Sequence, residues 1–366
     1  MNKKKLAIFA YTDYGNTMTY WCHAINGFSK KIEAKIICVV PHRFSYSVKH
    51  DIDLCFETEG SSGLQVDVQK REEAKQWLLD CDHLIFAEEM RLLENPLRYR
   101  SFALFREIMG FCISELRAFK PSLRTYIHHC GMDYRSAHQQ FNLINEQYFD
   151  RILVGVDLYR FTPGSSRYMI PIASYQSRHS HQDVRNKINQ KFEAKKLKIF
   201  HSPSSHLSKG TELIRRVVKK VLAEISVNEL SIEYFDVNPP IPNEQIIQHK
   251  LESHVFIDQV HDIGAYGISS VEALAMGNIV FSAMHNISPK ALELQCLGKD
   301  NASRFPILET TMNEEEFGYR LKNLILKPRK ELKQMALDSF QFYLDLMSFE
   351  ALAKRFEDYV LKWEGE

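Results

Sequence analysis

The sequence predicts an α/β protein with two doubly wound parallel sheets, built as two successive halves. Three observations lead there. Short, nearly continuous apolar runs recur along the chain, helical patterns separate them, and the alternation lapses once near the middle before it restarts. Continuous apolar strands joined through helices mean a parallel sheet covered on both faces. A length of 366 residues favours two domains over one.

In the first half the strand candidates are "KLAIFA" (5–10), "AKIICVV" (34–40), "HLIFAE" (83–88), "LRTYIHH" (123–129) and "RILVGV" (151–156). Helical spacing falls at about 17–28, 70–80, 102–118 and 136–147. Around 157–185 the chain turns polar and turn-rich, in "YRFTPGSSRY" and "SYQSRHSHQD", which reads as an interdomain linker. The alternation then resumes: strand 197–202, helix 210–225, strand 231–237, helix 243–251, strand 254–260, helix 268–276, strand 278–284. Two helices, about 329–346 and 349–363, close the chain. Helix 210–225 is the firmest of these. Leu213, Ile214, Val217, Val218, Val221, Leu222 and Ile225 form one apolar stripe, and Arg215, Arg216, Lys219 and Lys220 lie opposite as a solvated face.

Bulk composition narrows the function. The chain is 45% hydrophobic and 25% charged with a formal net charge of +1, so no global field draws it to nucleic acid. Its 7 cysteines are scattered without a CxxC pair, as expected of reduced cytoplasmic thiols rather than a disulfide or zinc framework. The first apolar run is too short for a signal peptide, and no stretch approaches the roughly 20 apolar residues of a membrane span.

Chemistry concentrates in two places. In "HSPSSHLSKGTE" (201–212) an apolar strand gives way to small hydroxylated residues, Lys209 and Gly210, and then to a helix. Helix N-termini present free N–H groups to anions, small residues let a phosphate approach, and a lysine adds a point charge. The order Lys-Gly-Thr is not that of a Walker A loop. An ordinary helix start with Ser208 as its cap is the alternative. In "HVFIDQVHDIGAYGISSVEALAMGNIVFSAM" (254–284) a second strand ends at Asp258-Gln259, a loop with Gly264 and Gly267 follows, and a helix opens at Ile268 with Glu272 in its first turns. Both loops leave the carboxyl ends of strands, where open α/β sheets bind ligands. A carboxylate just inside the helix suits a ribose or sugar diol.

These segments resemble retaining GT-B-type glycosyltransferases of family four. "HSPSSHLSKGTE" is similar to the family's segment whose lysine binds the donor diphosphate, and "EALAMG" to the segment whose glutamate holds the ribose. In the first half "YTDYGNTMTY" resembles the loop after the first strand, with Gly15 and Asn16, and "HHCGMDYR" a His-Gly-x-Asp-x-Arg segment, matched by Gly131, Asp133 and Arg135. The resemblance covers most of the chain and is specific in 199–284. It implies two Rossmann-like domains facing across a cleft: 1–172 on the acceptor side, 173–345 holding the donor, and 346–366 crossing back to the first domain. It also implies sugar transfer from a nucleotide diphosphate sugar to a glycan or lipid-linked acceptor, with retention of configuration and neither metal nor cofactor. The catalytic candidates are then Lys209, Glu272 and His129. Donor contacts fall to Ser204, Ser205, His206, Gly210, Gly267, Ile268, Ser269 and Ser270. Gly15, Asn16, His128, Gly131, Asp133 and Arg135 would line the first domain's side. Cytoplasmic location, with peripheral contact at the inner face of a membrane, is the matching expectation.

The chain departs from the family pattern at Gly264, where a second glutamate often stands, and at Cys130, where a histidine often stands. Two alternatives therefore stay open: a nucleotide-sugar epimerase on the same fold, and a catalytically weak nucleotide-sugar-binding subunit. A dinucleotide dehydrogenase is disfavoured, since no GxGxxG follows the first strand. The Asp-x-Asp matches "DID" (51–53) and "DCD" (80–82) sit in polar surroundings unsuited to a metal. "RHSHQ" (178–182) reads as solvated linker. His128 and His129 are open between cleft-facing and core roles. Tyr14, Tyr20 and Trp21 read as packing.

Overall fold

The computed structural model describes residues 3–40, 49–57, 64–88, 100–129, 131–165, 167–171, 174–225, 231–237, 241–261 and 264–361. It divides into two compact units, Met1–Ile172 with Phe349–Glu366, and Ala173–Ser348.

The first unit contains β1 (Lys4–Ala10), α1 (Thr17–Phe28), β2 (Ile32–Cys38), β3 (Ile52–Asp53), β4 (Cys55–Glu57), β5 (Leu64–Val66), α2 (Val68–Asp80), β6 (His83–Glu88), α3 (Arg100–Met109), α4 (Ile113–Phe119), β7 (Arg124–His129), α5 (Met132–Tyr148), β8 (Arg151–Val154) and β9 (Tyr168–Met169). Seven strands form one sheet in the order β3-β2-β1-β6-β7-β8-β9, and β4 and β5 make a separate hairpin. Each pairing within the large sheet is parallel. Apolar strands buried on both faces produce this, as Leu6 through Ala10 show at 0% exposure. Phe105 of α3 packs edge-on against Phe9 and Phe86, at 4.9 and 5.1 Å between ring centres.

The second unit contains α6 (His181–Glu193), β10 (Leu197–His201), the short turn α7 (His206–Lys209), α8 (Thr211–Ile225), β11 (Ile232–Asp236), α9 (Asn243–Glu252), β12 (Val255–Ile257), α10 (Ile268–Ala275), β13 (Ile279–Ala283), α11 (Pro289–Gln295), α12 (Lys299–Ser303), β14 (Ile307–Thr310), α13 (Glu314–Ile325) and α14 (Arg329–Phe342). The last helix, α15 (Phe349–Leu361), belongs to the first unit, where Phe356 meets Trp21 of α1 at 5.0 Å. The second sheet runs β11-β10-β12-β13-β14, again with parallel pairings. From β10 the chain steps outward to β11 and returns to place β12 on the other side of β10. The strand order thus reverses between β10 and β12. Connections leave neighbouring carboxyl ends there in opposite directions and open a crevice.

Three sequence expectations change. The helix expected over 102–118 is two helices, because Gly110 adopts φ 79° and ends α3, and the Glu115 carboxylate then accepts the Cys112 amide at 2.7 Å to start α4. The stretch 157–185 contains the division between the units, after Ile172, but not all of it is linker: β9 adds to the first sheet, and α6 begins at His181 with Ser180 accepting the Asp183 amide. The strand 254–260 ends at Ile257, leaving Asp258 and Gln259 beyond it. The basic face of α8 is met by acids: Arg215 bonds Asp236 and Glu212, and Arg216 bonds Glu314.

Candidate functional site

The crevice between β10 and β12 is where the two sequence motifs meet. After β10, Ser205 caps a single turn by accepting the Ser208 amide at 3.3 Å. Lys209 ends that turn, and Gly210 at φ 70° starts the chain into α8. Ser208 is thus not the cap that the alternative reading gave it; its amide is itself capped by Ser205. A Cβ at Gly210 would stand 2.4 Å from Val260 Cγ2 and 2.8 Å from His261 Cδ2, so only glycine lets the loop after β12 come this close. The Val260 amide donates to the Lys209 carbonyl at 3.2 Å and fastens the two loops.

Side chains complete the junction. Lys209 Nζ donates to Asp258 Oδ1 at 2.7 Å and to Gln259 Oε1 at 2.9 Å. Gln259 Nε2 donates to the Ala265 carbonyl at 2.6 Å, and Thr310 donates to the Gln259 carbonyl at 2.7 Å. The other oxygen of Asp258 accepts the Ser270 hydroxyl at 2.7 Å and the Gly267 amide, the cap of α10, at 3.3 Å. One buried carboxylate thus joins the Lys209 ammonium to the first turn of α10. Burial alone would push the Asp258 carboxyl up; the charge and hydrogen bond of Lys209, with the Ser270 and Gly267 bonds, outweigh it and hold it below the usual carboxylate value.

What this leaves for a ligand follows from counting donors. Lys209 is 15% exposed and uses two of its three N–H groups on Asp258 and Gln259. The Ser270 amide turns back to the Gly267 carbonyl at 3.0 Å. The Ile268 and Ser269 amides, the first two of α10, have no intrahelical acceptor and stand half-buried. Ser204 and Ser205 are exposed and His206 is half-buried beside them. Gly264 takes φ 113°, a backbone that favours glycine, so the glutamate often found at this position in the resembling family does not fit this loop.

Glu272 is 4% exposed, and its Oε2 receives Lys250 Nζ at 2.5 Å. Sequence reasoning gave no role to Lys250, Asp258 or Gln259. The signals were present: Lys250 interrupts the buried stripe of Ile247 and Leu251, and Asp258 directly follows an apolar strand.

The first unit's candidates lie differently. His128 packs edge-on against Trp21 at 5.1 Å, and burial, then the neighbouring His129, lowers its pKa to about 3. His129 stacks on Tyr134 at 4.5 Å and pairs with Asn145 at 3.1 Å; burial lowers it to about 4. Both occupy core positions, one of the two roles the sequence left open. Gly15 and Asn16 form a left-handed turn after β1, at φ 64° and 58°, and Asn16 is buried. Nearby Asp13 caps α1 by accepting the Met18 and Thr19 amides at 2.9 and 2.8 Å. Gly131 caps α5 and Arg135 pairs with Asp157. Cys130 and the Asp133 side chain lie outside the described residues. Asp51 accepts the Ile36 amide and Asp53 pairs with His50, so "DID" does not converge. Among the described residues no group of three or more His, Cys, Asp or Glu is placed to hold a metal, and no helix is long and apolar enough to cross a membrane.

No protein-family model matches the chain, and no curated protein matches it. Solved structures do. The N-terminal domain of trehalose-6-phosphate phosphatase from Candida albicans matches with 9% identity, 99% of this chain and 97% of that one, at a TM-score of 0.58. S. aureus MnaA, solved with UDP, matches with 12% identity over 100% and 97% of the two chains, at 0.51. A UDP-glucosyltransferase from Polygonum tinctorium matches with 10% identity over 100% and 99%, at 0.50. The chain has the GT-B fold. At these identities the likeness concerns architecture, and the GT-B match spans both units.

Proposed function

We propose that this GT-B protein is a nucleotide-sugar enzyme, a glycosyltransferase that moves a sugar from a nucleotide diphosphate sugar to a glycan or lipid-linked acceptor with retention of configuration. The observation that carries the reading is the junction at Asp258. There a half-buried lysine and the open N-terminus of α10 lie on the two oxygens of one carboxylate, at the switch point of the second sheet. Two of the similar structures carry UDP in their names, which supports a nucleotide ligand.

The chemical demand is loss of a diphosphate leaving group. Negative charge grows on its oxygens, and donors already fixed in place lower the barrier without reorganising. Lys209 and the Ile268 and Ser269 amides take that part, with the Ser204–His206 segment beside them. Glu272, one turn into α10, takes the ribose. Gln259 and Asp258 orient Lys209 and balance its charge before the donor arrives. The buried His129 is given no contact with the reacting groups. No metal is invoked, since the donors above meet the phosphate charge.

The test is a thermal-shift screen against UDP-, GDP-, ADP- and CDP-sugars with and without EDTA. A ligand at 100 times its Kd adds about 2.7 kcal/mol. No shift with any donor overturns the reading. Turnover that needs added magnesium or manganese overturns metal independence. An epimerised free nucleotide sugar, formed without acceptor, makes the protein an epimerase instead.

A further inference from the structure

Lys250 is a fully buried lysine with no part in the phosphate junction. It reaches from α9 to the first turn of α10, and its ammonium sits 4.7 Å over the Phe256 ring. Its three donors meet three acceptors: the Ser269 carbonyl at 3.0 Å, Ser269 Oγ at 2.8 Å and Glu272 Oε2 at 2.5 Å. A buried ammonium is costly unless it is paired and fully hydrogen-bonded, so this arrangement holds all three groups in one geometry.

Two consequences follow. Ser269 Oγ already accepts a hydrogen bond from Lys250, which leaves its own proton to be donated to another acceptor. Glu272 is left with one uncommitted oxygen: among the described residues Oε1 meets no hydrogen-bond donor, and 5% of the side chain is exposed. With both oxygens open, a carboxylate in this place would take the two hydroxyls of a ribose diol side by side, one on each oxygen; here Oε2 is held by Lys250, so a hydroxyl is met through Oε1.

We infer that Lys250 is a positioning residue that makes Glu272 a single-hydroxyl acceptor and Ser269 a donor, so that the second unit distinguishes the two ribose hydroxyls of a nucleoside diphosphate. The inference rests on the nucleotide-sugar reading. Calorimetry tests both. UDP, GDP, ADP and CDP are titrated into the wild-type protein, and the tightest is repeated in its 2′-deoxy and 3′-deoxy forms. One deoxy form is expected to lose roughly tenfold or more in affinity, the scale of a hydrogen bond to a charged group, and the other far less. Lys250→Met frees Oε2 and is expected to bring the two losses to similar size; Lys250→Arg, which keeps a donor there, is expected to retain part of the difference. Equal losses in the wild type overturn the inference, and so does an unchanged ratio in Lys250→Met. The wild-type pair decides the matter even if Lys250→Met does not fold. Failure of all four nucleotides to bind the wild type overturns the underlying reading, and the inference with it.

Discussion

The carboxyl end of β7 and the loops after β10 and β12 carry the same kind of sequence signal and come to opposite ends. Each places basic or titratable side chains where an open α/β sheet binds its ligands. His128 and His129 are still inside the strand, so their side chains alternate onto its two covered faces, one against Trp21 of α1 and one against Tyr134 of α5. His201 in β10 behaves likewise: it bridges the Ile257 carbonyl at 2.8 Å and Thr211 at 2.9 Å, and burial lowers its pKa to about 4. Lys209, Gly267 and Ile268 lie beyond their strands, where helices no longer cover the chain. Here the polar residues within the strands join the packing, whereas Lys209 and Ile268, past the strand ends, stay half-buried and open to the proposed ligand.

The largest effect expected from that contrast is acid sensitivity of the first unit. His128 and His129 have folded pKa values of about 3 and 4, below the unfolded value of about 6.5. The unfolded chain therefore binds protons that the folded one refuses. The stability these residues permit is complete above about pH 6.5 and falls as pH drops toward their folded values, by about 1.4 kcal/mol per pH unit for each histidine. Residues 173–348 contain no tryptophan, so tryptophan fluorescence follows the first unit. Urea unfolding at pH 7.5, 6 and 5 should show the fall, and His128→Gln and His129→Gln should each flatten it. A stability that stays level from pH 7.5 to 5 would remove these histidines from the sealed core.

Lys209 provides the next effect, on the other side of the comparison. Lys209→Ala should lower kcat/KM for the donor by about 2–4 kcal/mol, the scale of one preorganised oxyanion donor. Lys209→Arg should recover only part, because a planar fork does not match the compact ammonium held by Asp258 and Gln259. His129→Gln should leave the same constant nearly unchanged above pH 7. Similar losses in both variants would erase the distinction between the two regions.

Much of this was legible in the sequence, for reasons tied to particular residues. Long periodic elements announced themselves: α1 falls on the expected 17–28, and α8 buries the stripe of Ile214, Val217, Val218, Val221 and Ile225. Elements set by pairing rather than periodicity did not, so the two-residue strands β3 and β9 and the β4–β5 hairpin went unread. In the site, Lys209, Gly267 and Glu272 stood out through local motif. Asp258 and Lys250 did not, because their roles depend on partners far away in sequence, 49 and 22 residues distant. The break at Gly110 had a local signal, a glycine within a helical pattern, that the apolar spacing on both sides concealed.

Glycine substitutions sharpen the comparison at a smaller scale. Gly210→Ala forces a Cβ against Val260 and His261 in a left-handed turn and should cost about 1–3 kcal/mol. Gly27→Ala, near the end of α1 with open space around it, should stabilise by about 0.5–1 kcal/mol. Thermal unfolding of the two variants should therefore move in opposite directions. Loss of nucleotide affinity should accompany Gly210→Ala alone, since Lys209 is its neighbour. Equal and small shifts would mean that the two loops of the second unit are not held at the distance described.

The smallest effect concerns the caps. Ser205 accepts the Ser208 amide at 3.3 Å and Asp67 accepts the Lys70 amide at 3.0 Å, one opening the four-residue turn α7 and the other the thirteen-residue α2. Cap removal costs about 0.5–2 kcal/mol. Ser205→Ala should fall at the bottom of that range, because its bond is long, its side chain is exposed and the turn it starts is short. Asp67→Ala should cost about 1 kcal/mol, since a whole helix depends on it. Nucleotide binding then separates two roles for Ser205. If its hydroxyl only caps the turn, Ser205→Ala weakens binding by no more than it weakens folding. If it also faces the diphosphate beside Lys209, as proposed, affinity falls by more than stability, while Asp67→Ala leaves affinity unchanged. Calorimetry of nucleotide binding and urea unfolding on the same two variants measures both quantities, and a loss of affinity in Ser205→Ala no larger than its loss of stability would take Ser205 out of the donor site.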